Sequence, residues 1–450
     1  MDYNLIVIGA GPGGYEAALK AAKCGLKTML IDKAEPGGTC LNRGCIPTKA
    51  LLHSSKLYHE AGEAAEIGIN AGSLAYDMAK VYENKNDIVK KLSDGLLFLF
   101  KREKIDYVND FAKILDKNTV SAGGKTYTAD NLLIATGSVP ALPPIQGIGS
   151  ANVVTSDEVL ANPEDYSSIA IIGGGVIGVE FASFYNYLGK KVYIIEALER
   201  VLPPMDKEIS QNLAMILKKR GVEIHTSSLV SAISNDNGEC VCRFSEKGQE
   251  KEIRAQAVIV ATGRKAYTEG LFAEGFGVDM NRGLVLVNEN FQTNIPNVYA
   301  IGDVTGGMML AHAATAHGEV AVDHMLGKPC HVNLNVIPAC VYTSPEIAAT
   351  GMTADEAKAA GIAVKTGKYI MTANGKSMIE REERGFIKLV FDAESGKIIG
   401  GSLMCGRASD LIAQITFAVA NGLTAEEFKR TILPHPTFCE GINEAIKEIK

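Results

Sequence analysis

A chain of 450 residues is too long for one hydrophobic core and divides into roughly two to four domains. Apolar residues make up 46% of it and charged residues 22%, and its net charge is −7 with no basic arm or lysine-rich block, so nothing points to nucleic acid or an anionic membrane as a partner. No apolar run reaches the roughly 18 residues that a membrane span takes, and Asp2-Tyr3-Asn4-Leu5-Ile6-Val7-Ile8 enters a strand pattern without the regions of a signal peptide, so the expected location is the cytoplasm.

Residues 4–9 run apolar into Gly9, as a buried parallel strand does. Residues 13–24 read as a helix and 26–31 as a second strand, a βαβ opening. A helix over 45–66 and a long amphipathic helix over 78–103 follow, then short strands ending in Asn131-Leu-Leu-Ile-Ala-Thr-Gly137. Pro140-Ala-Leu-Pro-Pro144 is a turn-rich boundary. The same grammar then restarts, with a strand over 168–172, a helix over 175–188 and a strand over 192–195, closing at Val258-Ile-Val-Ala-Thr-Gly263. From about residue 335, strands near 338–342, 364–371, 386–391 and 398–404 precede helices near 408–421 and 440–449, which suggests a separate α+β domain. The expected fold class is α/β: two Rossmann-like dinucleotide-binding domains plus a C-terminal α+β domain.

Gly9-Ala-Gly-Pro-Gly-Gly14 fits G-x-G-x-x-G. Gly9 would permit the tight turn, Gly11 the approach of backbone to pyrophosphate, and Gly14 close helix–strand packing, while the helix start offers its N–H groups to the phosphates. Asp32 ends the second strand, where a carboxylate can bond a ribose hydroxyl. Gly173-Gly-Gly-Val-Ile-Gly178 repeats the pattern with Gly173, Gly175 and Gly178, and Glu196 stands at the same offset as Asp32. One such hexapeptide is weak evidence; two, each with its strand, helix and acidic residue, predict two dinucleotide sites. Glu196 would repel the 2′-phosphate of NADP and no arginine replaces it, although Arg200 is near, so NAD is favoured.

Nine cysteines in a chain of this size are not a disulfide framework, and seven of them are expected as buried, reduced thiols. Cys40 and Cys45 differ. They lie in Gly37-Gly-Thr-Cys-Leu-Asn-Arg-Gly-Cys-Ile-Pro-Thr-Lys49, directly after the first βαβ, and would occupy about one turn at a helix start, where the dipole favours a thiolate and hence disulfide exchange. A metal half-site or two core thiols are the alternatives; zinc needs further ligands that this region lacks, so no metal site is expected. His435 and Glu440 suit an acid–base pair for such exchange, with the carboxylate orienting the imidazole and Pro434 and Pro436 restricting the backbone around it. The alternative is a plain turn before the last helix.

The segment from Gly37 to Lys49 resembles the signature of the class I pyridine nucleotide–disulfide oxidoreductases. The resemblance covers essentially the whole chain, through both fingerprints, both Ala-Thr-Gly motifs, Tyr299-Ala-Ile-Gly-Asp303, Met309-Leu-Ala-His312, Tyr342-Thr-Ser-Pro-Glu346 and His435-Pro-Thr-Phe-Cys-Glu440. It implies an FAD domain in two parts, 1–145 and 266–335, an NAD domain over 146–265, and a dimerisation domain over 336–450. It further implies that Cys45 faces the flavin as a thiolate and that Cys40 exchanges with substrate. Lys49 would sit near the flavin N5 and pair with Glu180, and Asp303 would bond the ribityl chain. The Ala112 backbone would touch adenine, and the backbone of Met309, Leu310 and Ala311 would approach the isoalloxazine. Lys33, Thr39, Thr136, Gly137, Gly263 and Arg264 would be further cofactor-binding positions. The dyad of His435 and Glu440 would serve the partner's cysteines in a homodimer.

The implied reaction is FAD-dependent oxidation of dihydrolipoamide to lipoamide with reduction of NAD, through a Cys40–Cys45 disulfide. The enzyme would be the shared component of a lipoyl-bearing complex, a 2-oxo acid dehydrogenase or glycine cleavage. A glutathione- or mercuric-reductase-like enzyme using NADPH is the alternative, disfavoured by Glu196 and by a terminus, Ile-Lys-Glu-Ile-Lys, without a cysteine pair. No lipoyl domain is fused to the chain, so the partner is expected to carry its own lipoyl arm. Cys439 stands where relatives usually have serine or alanine. Gly306-Gly-Met-Met-Leu replaces a more usual Gly-Pro before Met-Leu, and His317, in place of a glutamate-rich stretch, reads as a helix residue.

Overall fold

The computed structural model describes residues 1–382 and 384–450. They form two compact units, of which the first comprises Met1–Pro143, Val154–Asp165 and Thr262–Leu334. In its sheet Tyr3–Ile8 runs parallel between Thr28–Asp32 and Lys125–Ile134, with Asp106–Asn109 beyond the former and Val298–Ala300 beside the latter. Thr119–Ala122 and Lys113–Asp116 continue it antiparallel. Leu5, Ile6 and Val7 are fully buried, as a strand covered on both faces requires, which is why the N-terminus reads as an unbroken apolar run.

Helix Pro12–Lys23 opens with proline in its first turn and buries Gly13, Gly14, Ala17, Ala18 and Ala21. That small-residue face lets helix Ala311–Met325 come close: a Cβ added at Gly13 would lie 2.8 Å from the Ala314 carbonyl oxygen. The predicted long helix is Met78–Arg102, capped by Asp77, with Tyr82, Ser93, Leu96 and Phe100 on its buried face.

The second unit comprises Pro144–Val153, Tyr166–Ala261 and Asn335–Lys450. Here Lys191–Ile195 runs parallel between Ser168–Ile172 and Glu223–His225, and Ala257–Val260 pairs with the other edge of Ser168–Ile172. Ser228–Asp236, Glu239–Glu246 and Gln249–Ala255 form an antiparallel meander, and its Cys240, Cys242 and Phe244 share a core with Ala170 and Ile172. The C-terminal part is an antiparallel sheet in the order Ala339–Val341, Glu346–Gly351, Ile398–Cys405, Phe386–Asp392, Val364–Ile370. Helices Ala408–Ala420 and Glu440–Lys447 close its core through Ile412, Ile415, Ile442 and Ile446. The Lys388 ammonium, 15% exposed, is held 2.9 Å from both Asp206 and Glu208 at the start of helix Lys207–Lys219, so the buried charge is compensated. No helix among the described residues is long and apolar enough to cross a membrane.

The third glycine of each fingerprint is fixed by contact. A Cβ at Gly14 would stand 1.9 Å from the Gly9 oxygen, and one at Gly178 would stand 2.0 Å from the Gly173 oxygen. Gly178→Ala is expected to cost about 1–3 kcal/mol as overpacking, read as a lowered urea midpoint with an unchanged slope.

Candidate active site

Each fingerprint loop is closed by its own acidic residue. Asp32 accepts the Ala10 N–H at 2.5 Å and the Ala34 N–H at 2.9 Å. Burial pushes its carboxyl up, against the pull of those two donors. Glu196, buried, repeats the bond, accepting the Gly174 N–H at 2.5 Å and the Leu198 N–H at 2.7 Å. The helices that follow, Pro12–Lys23 and Val176–Tyr187, begin at Gly11 and Gly175 with no side-chain cap, which leaves their first N–H groups to an anion. A Cβ added at Gly175 would meet nothing within 4 Å, and one at Gly11 would meet only Gly38 Cα at 4.0 Å. Both loops therefore present open backbone where a pyrophosphate would lie, and both fit a dinucleotide. Arg200 donates through Nη2 to the carbonyls of Pro203, at 2.7 Å, and Met205, at 3.4 Å, which ties it to its own loop.

In the first unit, residues from distant segments meet beside the first loop. Asp303, in the turn Gly302–Thr305, accepts the Ser138 hydroxyl at 2.5 Å, and Arg264 donates to Ser138 through Nε at 2.7 Å and Nη2 at 2.8 Å. Burial pulls the Arg264 guanidinium down, with Asp157 and Asp303 opposing. The Thr136 hydroxyl donates to the Tyr267 carbonyl at 2.7 Å, Gly137 adopts φ +69°, and the Gly263 carbonyl accepts Ala141 N–H at 2.9 Å. Ala112 is buried, and Met309 and Leu310 lead into helix Ala311–Met325. In that helix His317 accepts the Gly302 N–H on Nδ1 at 3.3 Å and stacks on Phe291 at 4.2 Å between ring centres.

The thiol pair departs from the expected single helical turn. Cys40 lies in helix Gly38–Arg43 and Cys45 begins helix Cys45–Glu63, with Gly44 between them at φ −151°, ψ −111°. The reason is geometric. A continuous helix would place residues five apart about 7.5 Å along its axis, farther than a disulfide can bridge. The joint is held by Thr48, whose hydroxyl donates to the Gly44 carbonyl at 2.6 Å, and by the Asn42 amide, which donates to the Gly38 carbonyl at 3.0 Å. Thr39 stands in the first of the two helices. The pair is present as two half-buried thiols. A hydrogen bond to Cys45, together with burial, pushes the Cys40 thiol well up, while the Lys49 charge pulls it back. Cys45 is the first residue of its helix and has the helix N-terminus behind it, where a thiolate is favoured. Of the other seven cysteines, Cys240, Cys242, Cys405 and Cys439 are buried and Cys330 and Cys340 half-buried, but Cys24 is exposed: it ends helix Pro12–Lys23, beyond the last residue of the packed face.

In the second unit Glu180 is buried in helix Val176–Tyr187 and accepts the Tyr342 N–H at 3.0 Å. His435 Nδ1 lies 2.8 Å from Glu440 Oε1, and Glu440 Oε2 accepts the Thr437 N–H at 2.9 Å. Glu440 is the first residue of its helix, where the dipole favours a carboxylate. The carboxylate fixes one ring nitrogen and leaves Nε2 facing outward on a side chain that is 79% exposed. Cys439, beside them, is buried with its sulfur 2.9 Å from the Thr437 hydroxyl, as a packing residue is.

The Thr437 N–H, then His435, holds the Glu440 carboxyl below the ordinary range. The pairing should therefore be complete above an ordinary carboxylate pKa of about 4.3 and be lost only as pH falls through the lowered value. An NMR titration of the Glu440 carboxyl carbon should give a midpoint below about 4.3; a higher one counts against the pair.

Sequence reasoning passed over Ser138, Tyr267 and Thr437. The first two follow the Ala-Thr-Gly motifs closely, and Thr437 sits inside the dyad segment, which is the signal that marks them.

Two open glycine loops closed by carboxylates, and a dithiol set across a helix joint, define a nucleotide-dependent dithiol–disulfide oxidoreductase. The profile of the pyridine nucleotide-disulphide oxidoreductases matches residues 3–318, and that of their dimerisation domain matches residues 337–446. The chain belongs to this family. It is 37% identical over 99% of its length to a dihydrolipoyl dehydrogenase of Bacillus subtilis, of which 97% is covered. With a dihydrolipoyl dehydrogenase of Geobacillus stearothermophilus the identity is 39%, over 99% of this chain and 96% of the relative. Among solved structures, LpdA from Mycobacterium tuberculosis superimposes with a TM-score of 0.92 at 26% identity, 99% of each chain being covered. The HOCl-induced flavoprotein disulfide reductase RclA from Escherichia coli gives 0.89 at 28%, again over 99% of each chain. FAD and NAD are the cofactors of the dihydrolipoyl dehydrogenases.

Proposed function

We propose that the protein is a homodimeric dihydrolipoyl dehydrogenase of the cytoplasm, which oxidises the dihydrolipoyl arm of a 2-oxo acid dehydrogenase or glycine cleavage complex and reduces NAD. The observation that carries this reading is the thiol pair across the Gly44 joint, beside a loop built for a dinucleotide. The proposed division of labour follows the chain: FAD on 1–145 and 266–335, NAD on 146–265, and the subunit interface on 336–450.

In the oxidised enzyme a substrate thiol, its proton taken at Nε2 by His435 of the partner subunit, attacks Sγ of Cys40. The Cys40–Cys45 bond breaks and Cys45 leaves as the thiolate. The second substrate thiol then displaces Cys40 from the mixed disulfide, the arm departs as a cyclic disulfide, and two electrons and one proton remain on the pair. Cys40 keeps that proton, in line with its raised thiol, and Cys45 keeps the negative charge. Bound FAD supplies the two-electron carriage from this dithiol to NAD. Asp32, the Gly9–Gly14 loop, Ser138 with Asp303, and the backbone at Ala112 and at Met309, Leu310 and Ala311 would hold the flavin nucleotide. Lys33, Thr39, Thr136, Gly137 and Arg264 would line the same site, with Lys49 supporting the flavin end. Gly173, Gly175, Gly178 and Glu196 would hold NAD.

The test is NADH oxidation with lipoamide, glutathione disulfide or mercuric ion as acceptor, each repeated with NADPH. Lipoamide with NADH should be the active pair. Glu196 would face a 2′-phosphate as a like charge, which costs several kcal/mol, so NADPH should be at least about 100-fold poorer in kcat/KM. Turnover of glutathione disulfide with NADPH, and none of lipoamide, would replace this reading with the reductase one.

A further inference from the structure

Lys33 is an exposed lysine that is nonetheless pinned. Its ammonium lies 2.6 Å from the Tyr267 hydroxyl and 3.9 Å from the centre of that ring, with the Phe111 ring on another side at 6.0 Å. Tyr267 is itself fixed by its backbone, since its N–H donates to the Gly137 carbonyl at 3.0 Å and its carbonyl accepts the Thr136 hydroxyl at 2.7 Å. The three residues come from separate places but share one position in the sheet. Lys33 follows the carboxyl end of Thr28–Asp32, Phe111 lies just past the carboxyl end of Asp106–Asn109, and Tyr267 is bonded to the segment past the carboxyl end of Lys125–Ile134. Nucleotides bind outside the carboxyl ends of parallel strands, and the strand ending in the acidic residue marks the ribose side. Phe111 is 38% exposed, a large ring left uncovered at that edge.

We propose that Tyr267, with Lys33 and Phe111, is a cation–aromatic clamp on the adenosine half of FAD, and that Tyr267 is a positioning residue for the cofactor: it aims Lys33. This rests on the first glycine loop holding FAD. The ring of Tyr267 and its hydroxyl orient the ammonium, and the ammonium with Phe111 flanks the adenosine, so that release of the cofactor requires the clamp to part.

The experiment measures FAD release from the holoenzyme, followed by recovery of free-flavin fluorescence after dilution, for the wild type and for Tyr267→Asn, Tyr267→Phe and Lys33→Met. Tyr267→Asn and Lys33→Met should each release FAD about tenfold faster, the scale of a partly desolvated cation–aromatic contact. Tyr267→Phe keeps the ring and should fall between those variants and the wild type. The melting temperature of the flavin-stripped chain should be unchanged in all of them. Wild-type release rates in the variants, or a drop in the melting temperature of the stripped chain that parallels faster release, would overturn the clamp. A wild-type protein that purifies with no FAD would instead remove the flavin reading on which it stands.

Discussion

Cys45→Ser is expected to abolish NAD-linked oxidation of dihydrolipoamide, by at least about 1,000-fold, the scale on which turnover falls when a covalent nucleophile is removed. A serine hydroxyl neither ionises at neutral pH nor forms a disulfide, so the substrate has no bond to exchange with. Cys40→Ser should lose as much turnover, but the two variants differ in a way that tests the assignment. In the proposed division of labour the reduced pair carries its negative charge on Cys45, at the start of its helix, and its proton on Cys40. Cys40→Ser should therefore retain more thiolate absorbance at neutral pH than Cys45→Ser, because only Cys45 begins a long helix. The reverse pattern would exchange the roles of the two sulfurs. Full turnover in Cys45→Ser would leave a flavin carrier without thiol chemistry. Gly44→Ala probes the same centre without touching sulfur. The new Cβ would lie 2.8 Å from the Thr39 carbonyl oxygen and 3.3 Å from Cys40 Cα, forcing the two helices apart. A displacement near 1 Å at reacting atoms costs on the order of 100-fold in rate, and the stopped-flow rate of dithiol oxidation should fall by that much.

The second large effect concerns His435. A positioned general base contributes about 100- to 10,000-fold, and His435→Gln should lose that much in kcat. Because the side chain is 79% exposed in one chain, a base that works must be covered by something else, and a second copy is the proposed cover. Mixing then gives a sharp expectation. Cys45→Ser and His435→Gln are each inactive alone. Unfolded together and refolded at equal amounts, they should give about a quarter of wild-type activity, since half the dimers are mixed and each of those has one intact site. No recovery, with mixed dimers present by mass spectrometry, would place His435 and the cysteines of one chain in the same site.

Much of this centre is legible in the residues because its parts are local. The apolar run into Gly9 and the small residues after it dictate a buried strand and a close-packed helix, and both copies follow the pattern to within two residues at each end. His435 and Glu440 are near neighbours in the chain, so their pairing needs only a turn. The helix break at Gly44 is different. Nothing in Cys-Leu-Asn-Arg-Gly-Cys distinguishes a helix with one glycine from two helices, and the deciding facts are the hydroxyl of Thr48 and the reach of a disulfide. The bonds from Asp32 and Glu196 to their own loops also escape notice, because a carboxylate at that offset is read first as a ligand for ribose. The meander over 228–255 is harder to read: its inward Val230, Ile233, Phe244 and Ile253 are interleaved with Cys240 and Cys242, which mark a strand less clearly than valine or isoleucine would.

The two carboxylates that tie down their own loops bear on the order in which the molecule is assembled. A glycine-rich turn with no internal tether would stay loose until a nucleotide arrived, and ordering it would be charged against binding. Here Asp32 and Glu196 set the turns from within the chain. Each cradle can thus take shape during synthesis, before any cofactor has been captured, and the cofactor enters a finished seat. Loading with flavin is then expected to be a separable event, and the flavin-stripped chain to keep its fold.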